Sequence, residues 1–133
     1  MASSQESAPV GFEAGNAGTD IGTDPAATVV AARYEQDGAH VVIVRGEVDI
    51  DASGVLRHAL EEGVKTETKC VVADFAGVTF CDSTGLNVLL QAHLAGDVRV
   101  AAPTAAVRRL LEVSGADGVL QIYPSVAEAI AAG

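Results

Sequence analysis

From Ala27 onward the chain alternates between short β-branched runs and stretches with helical spacing. Thr28 to Glu35 and His40 to Arg45 are two such runs, separated by Asp37-Gly38. Both linker residues tolerate positive φ, so the pattern predicts a β-hairpin. Gly46-Glu47-Val48-Asp49 comes next as a turn. A helix is then expected from about Asp51, its N-cap, to Gly63, its stop. Within it Ala52, Val55, Leu56, Ala59 and Leu60 fall on one stripe, the face a helix buries.

Cys70 to Phe75 is almost wholly apolar, as a strand covered on both faces would be. A loop from Ala76 to Cys81 is expected to lead into Asp82-Ser83-Thr84-Gly85, where a second helix starts. Its predicted buried stripe is Leu86, Leu89, Leu90, His93 and Leu94. Val98 to Ala102 reads as a strand, and Val107, Leu110 and Leu111 belong to a helix that ends near Gly115. Val119 to Tyr123 is a last strand. Ser125 and Glu128 then form a capping box at the start of a terminal helix. The predicted order is β-β-α-β-α-β-α-β-α. That order implies an α/β domain with a mixed, mainly parallel sheet packed with helices.

Residues 1–26 break the pattern. They hold Glu6, Glu13, Asp20 and Asp24, no Lys or Arg, and several Gly, Pro and Ser. Val10, Phe12 and Ile21 are isolated there, so little burial offsets the entropy of ordering the segment. A disordered acidic tail over 1–26 is therefore expected, followed by one domain over 27–133.

Charge narrows the function. With 18 acidic and 8 basic residues among 133, the net charge is −10, and −6 remains on residues 27–133. Nucleic acid and anionic membranes both demand a basic surface, so neither is an expected partner. Runs such as Val41–Val44 are far shorter than the ~20 residues of a membrane span. No basic stretch followed by an apolar run opens the chain, so no secretory signal is expected. The two cysteines do not make a disulfide scaffold, and a reducing cytoplasm is the expected compartment. Cys70 opens the predicted strand and Cys81 follows the loop that leaves its other end, so the two are not expected to bridge. Cys81, beside a helix start, is expected to be the more reactive thiol.

Catalytic constellations are weak. His40, His58 and His93 stand in separate elements, none at metal-ligand spacing with a second donor. Ser83 lacks the flanking glycines of a nucleophile elbow, and no glycine-rich loop with a Lys cradles phosphate. Neither an enzyme, a metal nor a cofactor is expected. The informative segment is Val78 to Leu86, Val-Thr-Phe-Cys-Asp-Ser-Thr-Gly-Leu. Asp82-Ser83-Thr84-Gly85 is good capping chemistry in itself. An exposed hydroxyl there also suits reversible phosphorylation, because free helix amides and the dipole accept a phosphate.

Three segments in order carry a family resemblance. Arg45-Gly46-Glu47-Val48-Asp49 resembles the Gly-Glu-x-Asp turn of bacterial anti-sigma factor antagonists of the STAS fold. Phe80 to Leu86 resembles their Asp-Ser-Ser/Thr-Gly-Leu phosphorylation motif. Val107-Arg108-Arg109-Leu110-Leu111 with Ser114-Gly115 resembles their penultimate helix and the Ser-Gly at its end. The resemblance covers about residues 27–132. It departs at Asn87, where many members have Gly, and in the longer acidic tail.

The resemblance implies that Ser83 is the phosphoacceptor and that an anti-sigma factor, a serine kinase of ATPase-like fold, supplies ATP and Mg²⁺. A phosphatase would reverse the step in a stress-response partner switch. The same resemblance places Asp49, Asp82, Ser83, Thr84 and Gly85 on the surface the partner covers. The unphosphorylated chain would bind the anti-sigma factor and free a sigma factor, and phosphorylation would release it. The alternative is a constitutive STAS subunit of a transporter assembly, with the same fold and no switch.

Overall fold

Asp37 and Gly38 both take positive φ, 51° and 83°, and close a hairpin between β1 (Val30–Gln36) and β2 (Ala39–Val48). The computed structural model describes residues 29–132, so the expectation for residues 1–26 lies outside the described residues. After β2 come α1 (Ser53–Lys65), β3 (Cys70–Cys81), α2 (Ser83–Ala95), β4 (Val98–Ala101) and α3 (Ala105–Ser114). A 3-10 turn (Ala116–Gly118), β5 (Gln121–Tyr123) and α4 (Val126–Ala131) complete the order. The five strands stand in sequence order, β1 antiparallel to β2 and the other neighbours parallel.

Right-handed crossovers between adjacent parallel strands place successive helices on one face of a sheet. Accordingly Val42, Val44, Val71, Ala73 and Phe75 pack with residues of α1, α2 and α3 in one cluster. The alternate residues Ala39, Val41, Cys70 and Val72 face the other way, onto Ala129 and Ile130 of α4. The short α4 is held by Arg99, a buried side chain that grips both carboxylate oxygens of Asp97 and donates to the Ala129 carbonyl at 2.6 Å.

Several expectations need correction. Residues Ala76 to Cys81 are strand, not loop, because β2 also runs on to Val48 and supplies partners: Arg45 pairs with Gly77, Gly46 with Val78, Val48 with Cys81. The β2–β3 register shifts at Ile43/Arg45 and Gly46/Glu47, as a bulge does, and Gly46 takes a positive φ of 83° at the second. Gly46-Glu47 is thus bulged strand rather than turn.

Asp51 is not the N-cap of α1. The Asp49 carboxylate accepts from the Asp51 and Ala52 amides, both at 3.1 Å, and the helix starts at Ser53. Nor does Gly63 stop α1, which continues to Lys65. Gly63 is there for space, since a Cβ would lie 2.8 Å from the His40 ring. In α2 the buried face is Gly85, Leu86, Val88, Leu89 and Ala92, with Leu90 and His93 half-buried and Leu94 76% exposed. Small residues let that side approach its neighbours, which rotates the face away from the larger Leu94. β5 begins at Gln121 because the 3-10 turn takes up the preceding residues, leaving Leu120 to plug the core. Leu56, Ala59 and Leu60 of the expected α1 stripe are buried, with Val55 half-buried and Ala52 just before the helix, and the Gly115 stop at φ 82° and the Ser125 cap on the Glu128 amide match their expectations.

Candidate functional site

Parallel strands end side by side, so the segments leaving them gather on one rim of the sheet. Val48 and Cys81 are register partners, and the next residues of the two strands are Asp49 and Asp82. The Asp82 amide donates to the Val48 carbonyl at 3.2 Å, tying the start of α2 to the end of β2. Asp82 is the N-cap of α2, and its Oδ1 accepts from the Thr84 and Gly85 amides at 2.9 and 3.1 Å. Ser83 is therefore the first residue of α2 and is exposed, while Thr84 is half-buried. The rim brings Asp49, Asp82, Ser83, Thr84 and Gly85 together.

Gly85 is buried, and its role is steric. A Cβ there would lie 2.6 Å from Val48 Cγ1, 2.8 Å from the Val48 carbonyl oxygen and 2.9 Å from Cys81 Sγ. Only hydrogen at that position lets α2 begin hard against the two strand ends.

Two corrections concern chemistry. Two of the first α2 amides, those of Thr84 and Gly85, are already taken by Asp82 and are not open to a phosphate. Cys81 is not an activated thiol. Burial, then the neighbouring Asp82 carboxylate, push it up to about 11, away from the thiolate. Cys70 is also raised, chiefly by burial. Both cysteines are free and buried, at opposite ends of β3.

The rim has features that motif reasoning missed. Ile50, between Asp49 and Asp51, is 71% exposed, and Phe80, two residues before Asp82, is 49% exposed. Their signal was present in the sequence as large apolar residues among turn-forming and capping ones. Residues 46–56 and 78–90 hold Glu47, Asp49, Asp51 and Asp82 but no Lys, Arg or His. Among the described residues the ion pairs join Glu62 to Lys65 and Asp97 to Arg99, and His40 Nδ1 lies 3.9 Å from Glu35, all away from the rim.

Other candidate chemistry does not converge. His40 sits in β2, His58 in α1 and His93 in α2, and no group of three metal-ligating side chains occurs among the described residues. A cleft of about 610 Å³ lies between α1 and α2, with Arg57, Lys65, Val88 and Ala95 in its lining, towards the helix ends remote from Ser83. No helix among the described residues is long and apolar enough to cross a membrane.

The family model described as "Mlab, STAS domain" matches residues 32–122. An anti-sigma F factor antagonist of Paenibacillus polymyxa is 27% identical over 99 residues, which span 70% of this chain and 85% of that protein. The crystal structure of an anti-sigma factor antagonist from Mycobacterium paratuberculosis matches with a TM-score of 0.70 and 28% identity, over 76% of this chain and 90% of that one. The Bacillus cell fate determinant SpoIIAA in its phosphorylated form has the same fold, with a TM-score of 0.54 and 22% identity over 74% of this chain and 96% of that one.

Proposed function

The chain belongs to the STAS domain family, and from that premise we propose that it is an anti-sigma factor antagonist switched by phosphorylation of Ser83. The unphosphorylated rim binds an anti-sigma factor, a serine kinase of ATPase-like fold, and thereby frees a sigma factor. The kinase phosphorylates Ser83 and loses its grip, and a phosphatase resets the chain. The observation that carries this reading is an exposed Ser83 at the first position of α2, beside a pinned Asp82, on a rim whose strand-end segments hold Glu47, Asp49 and Asp51. A relative of the same fold exists in a phosphorylated form, which also supports it.

The electrostatics turn on Asp82. Phosphate on Ser83 adds a charge of about −1.5 to −2. The two amides best placed to neutralise it already serve Asp82. The added charge therefore joins the acids of the two rim segments, Glu47, Asp49, Asp51 and Asp82. A partner that covers the rim has to desolvate it, at a cost of several kcal/mol. About 3 kcal/mol already weakens binding more than a hundredfold. The hydroxyl lies outside the buried core, so the fold tolerates the modification.

Phosphotransfer assays with radiolabelled ATP and the kinase test the assignment. Label is expected in the wild type and in Thr84→Ala, and none in Ser83→Ala. Label that persists in Ser83→Ala and vanishes in Thr84→Ala moves the acceptor to Thr84. Binding that ignores both substitutions and both phosphorylation states favours a constitutive STAS subunit of a transporter assembly.

A further inference from the structure

Large apolar side chains exposed on the described residues are Tyr34, Ile50, Phe80, Leu94, Val113 and Val119. Two of the six, Ile50 and Phe80, lie in the two short segments that carry Asp49 and Asp82. We propose that Ile50 and Phe80 are the anchors by which the anti-sigma factor is held, and that its contact face is basic around an apolar recess. The proposal rests on the reading of Ser83 as a partner switch and adds which side chains grip and what they grip.

Neither side chain is accounted for by the fold. Ile50 contributes to the turn through its backbone, whose carbonyl accepts from Ser53 Oγ at 3.0 Å, while its side chain stays 71% exposed. Phe80 pairs with Glu47 through the backbone of β3 and leaves about half of its side chain in solvent. The bond from the Asp82 amide to the Val48 carbonyl joins the two segments, so the anchors flank one acidic rim. Large exposed apolar side chains beside polar and charged groups are a usual feature of protein interfaces. The two segments that carry the anchors, residues 46–56 and 78–90, contain four acids and no base, with Arg45 and Arg57 just beyond the first. A complementary surface is therefore basic, and its affinity falls as salt screens the exposed charges. The same arrangement explains how one phosphate acts, because it raises the repulsive charge between two anchors that the partner must desolvate.

Isothermal titration of the full chain with each purified ATPase-fold anti-sigma factor of its source organism tests the proposal. Ile50→Ser and Phe80→Ser are expected each to weaken binding at least tenfold. Leu94→Ser and Val113→Ser, exposed apolar residues on other surfaces, are expected to bind like the wild type. Wild-type affinity is expected to drop at least tenfold between 50 and 300 mM salt. Circular dichroism checks folding, and Phe80→Leu, expected to weaken binding less than Ile50→Ser, replaces Phe80→Ser if that variant fails to fold. Wild-type strength in both anchor variants, with Ser83→Asp still abolishing binding, overturns the anchors and leaves the switch intact. Salt-independent affinity overturns the basic partner face. Absence of wild-type binding to every such factor overturns the switch and the anchors together.

Discussion

Replacing Gly85 by Ala tests whether the rim is built as described. The added methyl would sit 2.6 Å from Val48 Cγ1, 2.8 Å from the Val48 carbonyl oxygen and 2.9 Å from Cys81 Sγ. One of these neighbours is backbone, so no rotamer change removes all three conflicts. Overpacking of this kind costs about 1–3 kcal/mol. The helix propensity gained by Ala offsets up to ~1 kcal/mol. The expected net loss is thus ~1–2 kcal/mol, or roughly 4–15 °C in melting temperature for a domain of this size. Gly54 provides the contrast. It lies in α1, is exposed, and a Cβ there meets nothing within 4 Å. Gly54→Ala is expected to be neutral or to stabilise by up to ~1 kcal/mol. Thermal melts followed by circular dichroism give both numbers. Equal or higher stability in Gly85→Ala would refute the close seating of α2 against Val48 and Cys81.

Asp49→Ala and Asp82→Ala each remove a carboxylate that accepts two backbone amides, and each is expected to cost ~1 kcal/mol in urea unfolding. The Cys81 thiol, held up to about 11, is expected to react with a thiol reagent at pH 8 far more slowly than the same residue in urea. Because its folded value exceeds the usual 9.0, the folded state binds the proton more tightly, so stability falls as pH rises from about 9 to 11. Cys81→Ala is expected to flatten that decline, and an unchanged slope would contradict it. Removal of residues 1–26, where Val10, Phe12 and Ile21 stand alone, is expected to leave the melting temperature within a few degrees. A larger drop would show that the segment contributes to the folded domain.

Where side chains carry strong hydrophobic or turn signals, the sequence was legible. Asp37-Gly38 announced the hairpin, Ala52 to Leu60 gave the buried face of α1, and Ser125 with Glu128 marked α4. The signal failed where structure depends on small residues or backbone partners. Ala76, Gly77, Thr79 and Phe80 are exposed, so the second half of β3 shows no apolar run and is fixed by pairing with β2. Gly85 and Ala92 add almost nothing to a hydrophobic pattern, yet they set which side of α2 packs. At the rim the motif located Asp82 and Ser83 correctly at the start of α2. The segment read as capping chemistry and as a phosphate site at once, and the structure shows Asp82 taking the Thr84 and Gly85 amides as the cap. Ile50 and Phe80 escaped notice because an isolated exposed apolar residue is unremarkable until neighbours place it.

The most direct test compares the affinity of the cognate anti-sigma factor for the unphosphorylated chain and for the same chain stoichiometrically phosphorylated on Ser83, at one salt concentration. A loss of at least a hundredfold on phosphorylation, with unchanged circular dichroism and melting temperature, is the predicted result. Equal affinity in the two states, or a loss accompanied by unfolding, would contradict it.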